Sequence, residues 1–281
     1  MKEIRRILTC FLLIFAFAAV AELPQSIMLE SGAVRVRLDG RKRWNMNRIE
    51  WRGMLLCLDA HGAHYGMTYR PFGSKHFVGS GHTESGIGEK VLDIHFFVDG
   101  KEVKPGKEIL SGKRVGMKKT SQVLDLKVTY SFEIKDDIIS EETIISAEKD
   151  VKVHQIYCFM HPWTIRFTDY HAVFADGKKL DAKFISDEKH RNRKFVPAAS
   201  WYDRKSGAGV STVIGKPEFS RNLERLVWDR KCYRKDYLLI VRNETFPGGK
   251  TASYRAKTGF FMQKDPAKWV TDAEKLCQKL K

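Results

Sequence analysis

The sequence predicts a large all-β domain of two stacked antiparallel sheets, followed by one C-terminal helix. Three observations carry this. From Ser26 to Phe261 the chain is a succession of short runs in which apolar and polar residues alternate, the period of a strand with one buried face. The runs are punctuated by turn-forming pairs such as Asp99-Gly100 and Asp176-Gly177. Only the tail, "DPAKWVTDAEKLCQKL", changes rhythm: Trp269, Ala273, Leu276 and Leu280 recur at helical spacing.

The elements follow in order. "AVRVRLDG" alternates apolar and charged residues and ends in Asp-Gly. "RIEWRGMLLCLDA" is a strand pair around Gly53. "VLDIHFFVDGKEV" is a hairpin at Asp99-Gly100. "QVLDLKVTYSFEIKDDIISEETIIS" is another, turning at Asp136-Asp137. "VKVHQIYCFMHPW" follows as a strand stopped by Pro162. "HAVFADGKKL" turns at Asp176-Gly177, and "AASWYDRKSGAGVSTVIG" at Ser206-Gly207. "DYLLIVRN" and "KTASYRAKTGFFM" are the last two strands. In the tail, Asp265 is the expected N-cap and Pro266 the first helical residue. Two stretches are expected to be long irregular loops, residues 62–89 and 186–196, and long loops in a compact domain tend to be functional.

The first 21 residues stand apart. A basic start, "MKEIRR", precedes the apolar run "ILTCFLLIFAFAAV", and "AVA" at 19–21 has the small-x-small form of a cleavage site. This reads as a secretory signal peptide cut after Ala21, so the protein is expected to be secreted or periplasmic. Residues 22–264 then form the β domain and 265–281 the helix, with no membrane span in the mature chain.

The chain carries a net charge of +16, and little of the excess belongs to the leader. An exported protein seldom meets nucleic acid, so the expected partner is an acidic glycan or an anionic surface. Beyond the leader there are four cysteines, Cys57, Cys158, Cys232 and Cys277. Four thiols allow three pairings; Cys57 and Cys158 lie in apolar runs and read as buried thiols. No CxxC is present, and no metal or other cofactor is expected.

Four stretches resemble the galactose mutarotase-like proteins, the aldose 1-epimerases and the polysaccharide lyases that share their fold. "IISEETIISAEKDVKVHQIYCFMHPW" is similar to the two strands that lead into that superfamily's His-Pro-aromatic motif. "WNMNRIEWRGMLLC" resembles its opening hairpin, "SWYDRKSGAGVSTVIG" a hairpin of its carbohydrate-active members, and "FPGGKTASYRAKTGFFM" its Pro-Gly turn and last strand. The resemblance implies a supersandwich with a sugar site on a concave sheet. It implies that His161 is the acid that protonates the ring oxygen, and that His82 in "GSGHTESG" stands nearest to the second histidine. The stretch expected to hold the glutamate base reads "VRNETFPGG", with Glu244 almost on the turn.

The residues support that chemistry in their own right. Histidine titrates near neutrality and serves as acid or base without a large shift. Trp163 beside His161 offers an indole on which a pyranose can stack. Glycines around His82 let a backbone approach a ligand, and Glu84 is two residues on. His64 and Tyr65 are expected to line the cleft; His61 and His64 with Asp59 or Glu84 form too loose a set for a metal. Tyr65, Tyr69 and Tyr202 are possible phenolic bases. Arg191 and Arg193, with Lys194 and Arg41–Arg43, present forks suited to carboxylates or sulfates. The expected function is a carbohydrate epimerase-like or lyase-like enzyme acting on an acidic sugar; the alternative is a non-catalytic glycan-binding protein.

Overall fold

The computed structural model describes residues 23–60, 64–79, 88–106, 108–217 and 223–281, and the backbone of 82–83. The predicted leader, His61 and Glu84 lie outside these residues, as does the His82 side chain. Among the described residues, twelve strands form one sheet and ten the other, with a single α-helix, Trp269–Leu280. None of these residues forms a helix long and apolar enough to cross a membrane.

The twelve-stranded sheet runs from Ile109–Ser111 through Ser26–Ser31, Val34–Asp39, Asn45–Trp51 and Met54–Leu58 to the long strand Val151–Thr164. It continues with Tyr233–Phe246, Glu224–Asp229 and His190–Asn192. Gly66–Pro71 also pairs with Val151–Thr164 and is followed by the short Val78–Gly79 and His82–Thr83. The ten-stranded sheet runs Lys179–Lys183, Asp169–Val173, Ala198–Tyr202, Ala208–Ile214, Thr251–Met262, Ile138–Ser146, Leu126–Lys135, Arg114–Val123, Lys90–Val98, Lys101–Val103. Among the described residues, only Ser26–Ser31 and Ile109–Ser111 pair in parallel.

Alternation explains which face each strand buries. In Leu126–Lys135 the residues Leu126, Val128, Tyr130, Phe132 and Ile134 all turn inward, and the residues between them turn out. The same period in both sheets builds two large apolar clusters between them. At about 25 cal/mol per Å² of apolar surface removed from water, this burial is the main favourable contribution to folding. The turns follow the sequence. Asp99-Gly100 and Asp136-Asp137 have positive φ at both central positions, the geometry that matches the twist of flanking strands. Asp137 also ties the sheets together: its carboxylate accepts from the Ala33 backbone N–H at 2.7 Å. Gly32 (φ +59°) is required there, because a Cβ would fall 2.4 Å from that carboxylate.

Three expectations are corrected. Gly66–Pro71 and His190–Asn192 are strands inside the stretches expected to be loops. Pro162 does not stop its strand, which continues to Thr164, with Pro162 opposite Lys235 and Trp163 opposite Cys57. The helix begins at Trp269, not Pro266. Asp265 instead closes the turn before it, accepting from the Ala267 N–H at 2.9 Å. Trp269, Ala273, Cys277 and Leu280 are its buried face, packed on the outer side of the ten-stranded sheet. The four described cysteines are free, and only Cys232 is exposed.

Candidate functional site

The strand Val151–Thr164 crosses the middle of the twelve-stranded sheet, and its two faces hold different chemistry. A β-bulge separates them. From Cys158 to His161 the chain advances three residues while its partner retreats two, Leu238 to Asp236; against Gly66–Pro71 the same break appears between Tyr157 and Met160. Phe159 takes the positive φ (49°) that the extra residue demands. The bulge inverts the alternation. Tyr157, which precedes it, faces outward, and His161, four residues later, faces inward.

On the inner face, His161 is 1 % exposed. Its Nε2 lies 2.8 Å from Glu141 Oε1, and Tyr130 donates its hydroxyl to Glu141 Oε2 at 2.8 Å. This cluster joins the two sheets. Burial disfavours the imidazolium, but the charge and hydrogen bond of Glu141 outweigh it and raise the His161 pKa above its ordinary 6.5. Trp163 is fully buried against His161, Phe167 and Trp201, so the indole is not open to a ligand. Tyr65 stands edge-on to the imidazole at 5.8 Å and is 1 % exposed. His161, Trp163 and Tyr65 are therefore brought together, but inside the core and not in a cleft. The phenols of Tyr69 and Tyr202 also belong to buried residues.

The other predicted residues scatter. His64 lies 3.7 Å from Asp59. Arg191 is committed to Asp187 at 2.7 Å and to the buried Asp229, so it is part of an internal ion cluster with Arg234. Arg193 is exposed and its charge is felt at His190, Tyr157 and Tyr237. Among the described residues, no three His, Cys, Asp or Glu gather as a metal site would require.

Outside the bulge, five rings form a ladder across neighbouring strands. Phe77 lies 5.6 Å from Tyr157, and Tyr157 meets Tyr237 edge to face at 5.0 Å. The Tyr237 hydroxyl is 3.5 Å from His190 Nε2, the outer limit of a hydrogen bond. His190 stacks on Trp228 at 5.2 Å with planes 8° apart. Phe77, Tyr157, His190 and Trp228 are only half-buried. Cations frame the ladder: Arg70 lies over Phe77, Lys235 over Tyr237 and Arg230 over Trp228. Arg70 donates to Gln155 at 2.6 Å, and Arg242 holds Glu224 through two contacts of 2.9 and 3.3 Å. The Nε atoms of Arg70 and Arg242 are buried without a hydrogen-bond partner.

The electrostatics of this face are distinct. Burial, then the charge of Arg193, lowers the His190 pKa, so the imidazole is neutral near pH 7 and able to accept a proton. Burial raises the phenols of Tyr157 and Tyr237; Arg242 and Arg70 oppose this at Tyr157. Both phenols thus remain protonated and able to donate. One carboxylate, Glu224, stands among several guanidinium groups. The arrangement offers rings to an apolar surface, forks to carboxylates or hydroxyls, and a donor–acceptor pair 3.5 Å apart. The sequence reading passed over Tyr157, His190, Trp228 and Tyr237. Their signal was the aromatic content of the strands Val151–Thr164, Glu224–Asp229 and Tyr233–Phe246.

No protein-family model matches the sequence, and comparison with curated proteins finds no match. Solved structures share the fold. The Slr1438 protein of Synechocystis sp. PCC 6803 superposes with a TM-score of 0.56 at 10% identity, over 86% of this chain and 98% of that one. The galactose 1-epimerase of Lactobacillus acidophilus NCFM gives 0.50 at 8% identity, over 83% and 92%. This is the galactose mutarotase-like supersandwich fold. The alpha-N-acetylgalactosaminidase NagBb of Bifidobacterium bifidum contains it as one part: it gives 0.56 at 7% identity, over 90% of this chain but 38% of that one. At these identities the likeness establishes architecture, and function has to be argued from the site.

Proposed function

We propose that the protein is an exported carbohydrate-active protein that holds an acidic glycan on the outer face of its twelve-stranded sheet. The observation that carries this is the ring ladder Phe77–Tyr157–Tyr237–His190–Trp228, buried at Tyr237 and half-buried at its other four rings, with guanidinium groups at its margins. Half-exposed rings present apolar faces to pyranose C–H groups, and Arg70, Arg193 and Arg242 attract a carboxylate or sulfate. The supersandwich is shared with sugar epimerases and glycosidase domains, which supports a carbohydrate ligand.

The chemistry this face fits best is β-elimination from a uronic acid. Neutral His190 takes the proton α to the carboxylate while an arginine neutralises the developing charge. The electron pair forms the new ring double bond, the bond to the glycosidic oxygen breaks, and a protonated tyrosine, Tyr157 or Tyr237, returns a proton to the leaving oxygen. A non-catalytic glycan binder is the second reading, favoured by the mutual commitment of Glu224 and Arg242, which keeps that carboxylate from acting as a free base.

A panel of acidic and neutral oligosaccharides, scored for binding and for ultraviolet absorbance of new double bonds, tests both readings. Acidic ligands should bind better, and binding should weaken as salt rises. Salt-independent preference for a neutral sugar would refute the acidic-glycan reading. Binding without product would leave the binder reading. Export is checked by N-terminal sequencing of mature protein, expected to begin at Glu22.

A further inference from the structure

The outer face of the ten-stranded sheet lies across the core from the ring ladder. The C-terminal helix covers one half of it, packing Leu276 over Gly259. The other half is an open groove of about 530 Å³, within the range of ligand sites. Cross-strand register sets Lys118, Ser131, Glu142 and Arg255 in one row of outward side chains. The next row is Phe97, Gly116, Glu133, Ser140 and Lys257.

The charges in these rows do not cancel. Glu133 pairs with Arg114, and Glu142 accepts from both Ser253 and Arg255 at 2.8 Å. Burial works against the Glu142 carboxylate, but those bonds, with the charges of Arg255 and Lys118, hold its pKa below the ordinary value. Both acids are thus matched by arginine, while Lys118 and Lys257 are exposed and, among the described residues, have no ion-pair partner within 4 Å. Three strand spacings separate them, roughly 15 Å at 4.8 Å per strand. At Gly116 a Cβ would come 2.6 Å from the Phe132 carbonyl oxygen, so the floor beside Phe97 is bare backbone.

We propose that this groove is a second glycan site, binding an acidic oligosaccharide laid across the strands. Two of its anionic groups meet Lys118 and Lys257, its hydroxyls meet Ser131, Ser140 and the arginine-held carboxylates, and one sugar face lies on Phe97. Charge complementarity and the length between the lysines require an extended ligand with at least two negative charges. The ligand class rests on the carbohydrate reading above, but the site shares no residue with the ring ladder.

Calorimetric titration of the full chain with hexagalacturonate, and with neutral maltohexaose, tests it. The variants are Lys118→Glu/Lys257→Glu, the charge-matched control Lys127→Glu/Lys104→Glu, and Tyr157→Ala. All four lysines are exposed, so folding should be unchanged, which a melting curve verifies. Two acid-dependent sites are expected in the wild type. The groove variant should lose one, with affinity there down tenfold or more, and the control and Tyr157→Ala should keep it. A groove variant that titrates like the control overturns the proposal, as does equal binding of maltohexaose. A single site lost in Tyr157→Ala alone overturns it while leaving the ring-ladder reading intact; no hexagalacturonate binding at millimolar concentration defeats both.

Discussion

Tyr157 and His161 sit four residues apart on one strand, yet they belong to opposite worlds. His161 is an inter-sheet clasp, hydrogen-bonded to Glu141 inside the core; Tyr157 is a half-buried ring on the outer face, in contact with Phe77 and Tyr237. In an unbroken strand an even spacing would put both on one side. The one-residue bulge at Phe159 separates them. A single inserted residue thus decides which of two aromatic, titratable groups meets solvent, and a sequence motif read without it leaves unseen that His161 turns into the core.

The largest expected effect is on stability. His161→Ala leaves the buried Glu141 carboxylate without its imidazole partner, held by Tyr130 alone. Removing one member of a buried charged pair costs about 3–5 kcal/mol, roughly 6–20 °C in Tm for a domain of this size. Calorimetry checks this; a shift under 2 °C would mean that the clasp carries no stability. Binding comes next. Tyr157→Ala deletes the ring that joins Phe77 to Tyr237, and loss of an aromatic anchor costs about 2 kcal/mol, close to thirtyfold in Kd for an acidic oligosaccharide. Its Tm should stay close to that of the wild type, because the ring is only half-buried.

The pH response is smaller and has a defined sign. The His161 pKa is raised in the fold above its unfolded 6.5. Its contribution is therefore complete below pH 6.5 and is lost as pH rises through the higher folded value. Urea midpoints from pH 6 to 9 should fall in the wild type relative to His161→Gln; parallel profiles would contradict the assignment. The smallest effect is chemical labelling. Cys57 and Cys158 are buried and burial raises their thiols, and Cys277 is likewise buried and raised. Native mature protein should therefore take one alkyl group, at Cys232, read as one mass increment that is absent in Cys232→Ser.

Much of the fold was legible because its turns announce themselves. Asp99-Gly100, Asp136-Asp137 and the Gly53 turn carry residues that tolerate positive φ, and the runs between them alternate cleanly. What escaped lacks such signals. The hairpin at Leu124 and the bulge at Phe159 place apolar residues in the left-handed region, which no composition rule flags. Gly66–Pro71 is a strand because it has the long central strand to pair with, not because its own pattern alternates. The candidate site suffered from the same blindness. The His-Pro-Trp stretch lies on the strand that also carries Tyr157, but the parity of its faces depended on the bulge, and Tyr237, His190 and Trp228 join Tyr157 only through the pairing of other strands.

The central claim is that ligand chemistry belongs to the outer ladder and not to the buried histidine. Its most direct test is a comparison of His190→Gln with His161→Gln, each titrated with hexagalacturonate at the ladder site and followed for unsaturated product, at a temperature where both are folded. The account predicts that His190→Gln loses turnover by two or more orders of magnitude, or, in a pure binder, about tenfold in affinity, with an unchanged Tm. His161→Gln should lower Tm and leave both readings of the ligand untouched. The reverse pattern, activity or affinity lost in His161→Gln and retained in His190→Gln, would contradict it.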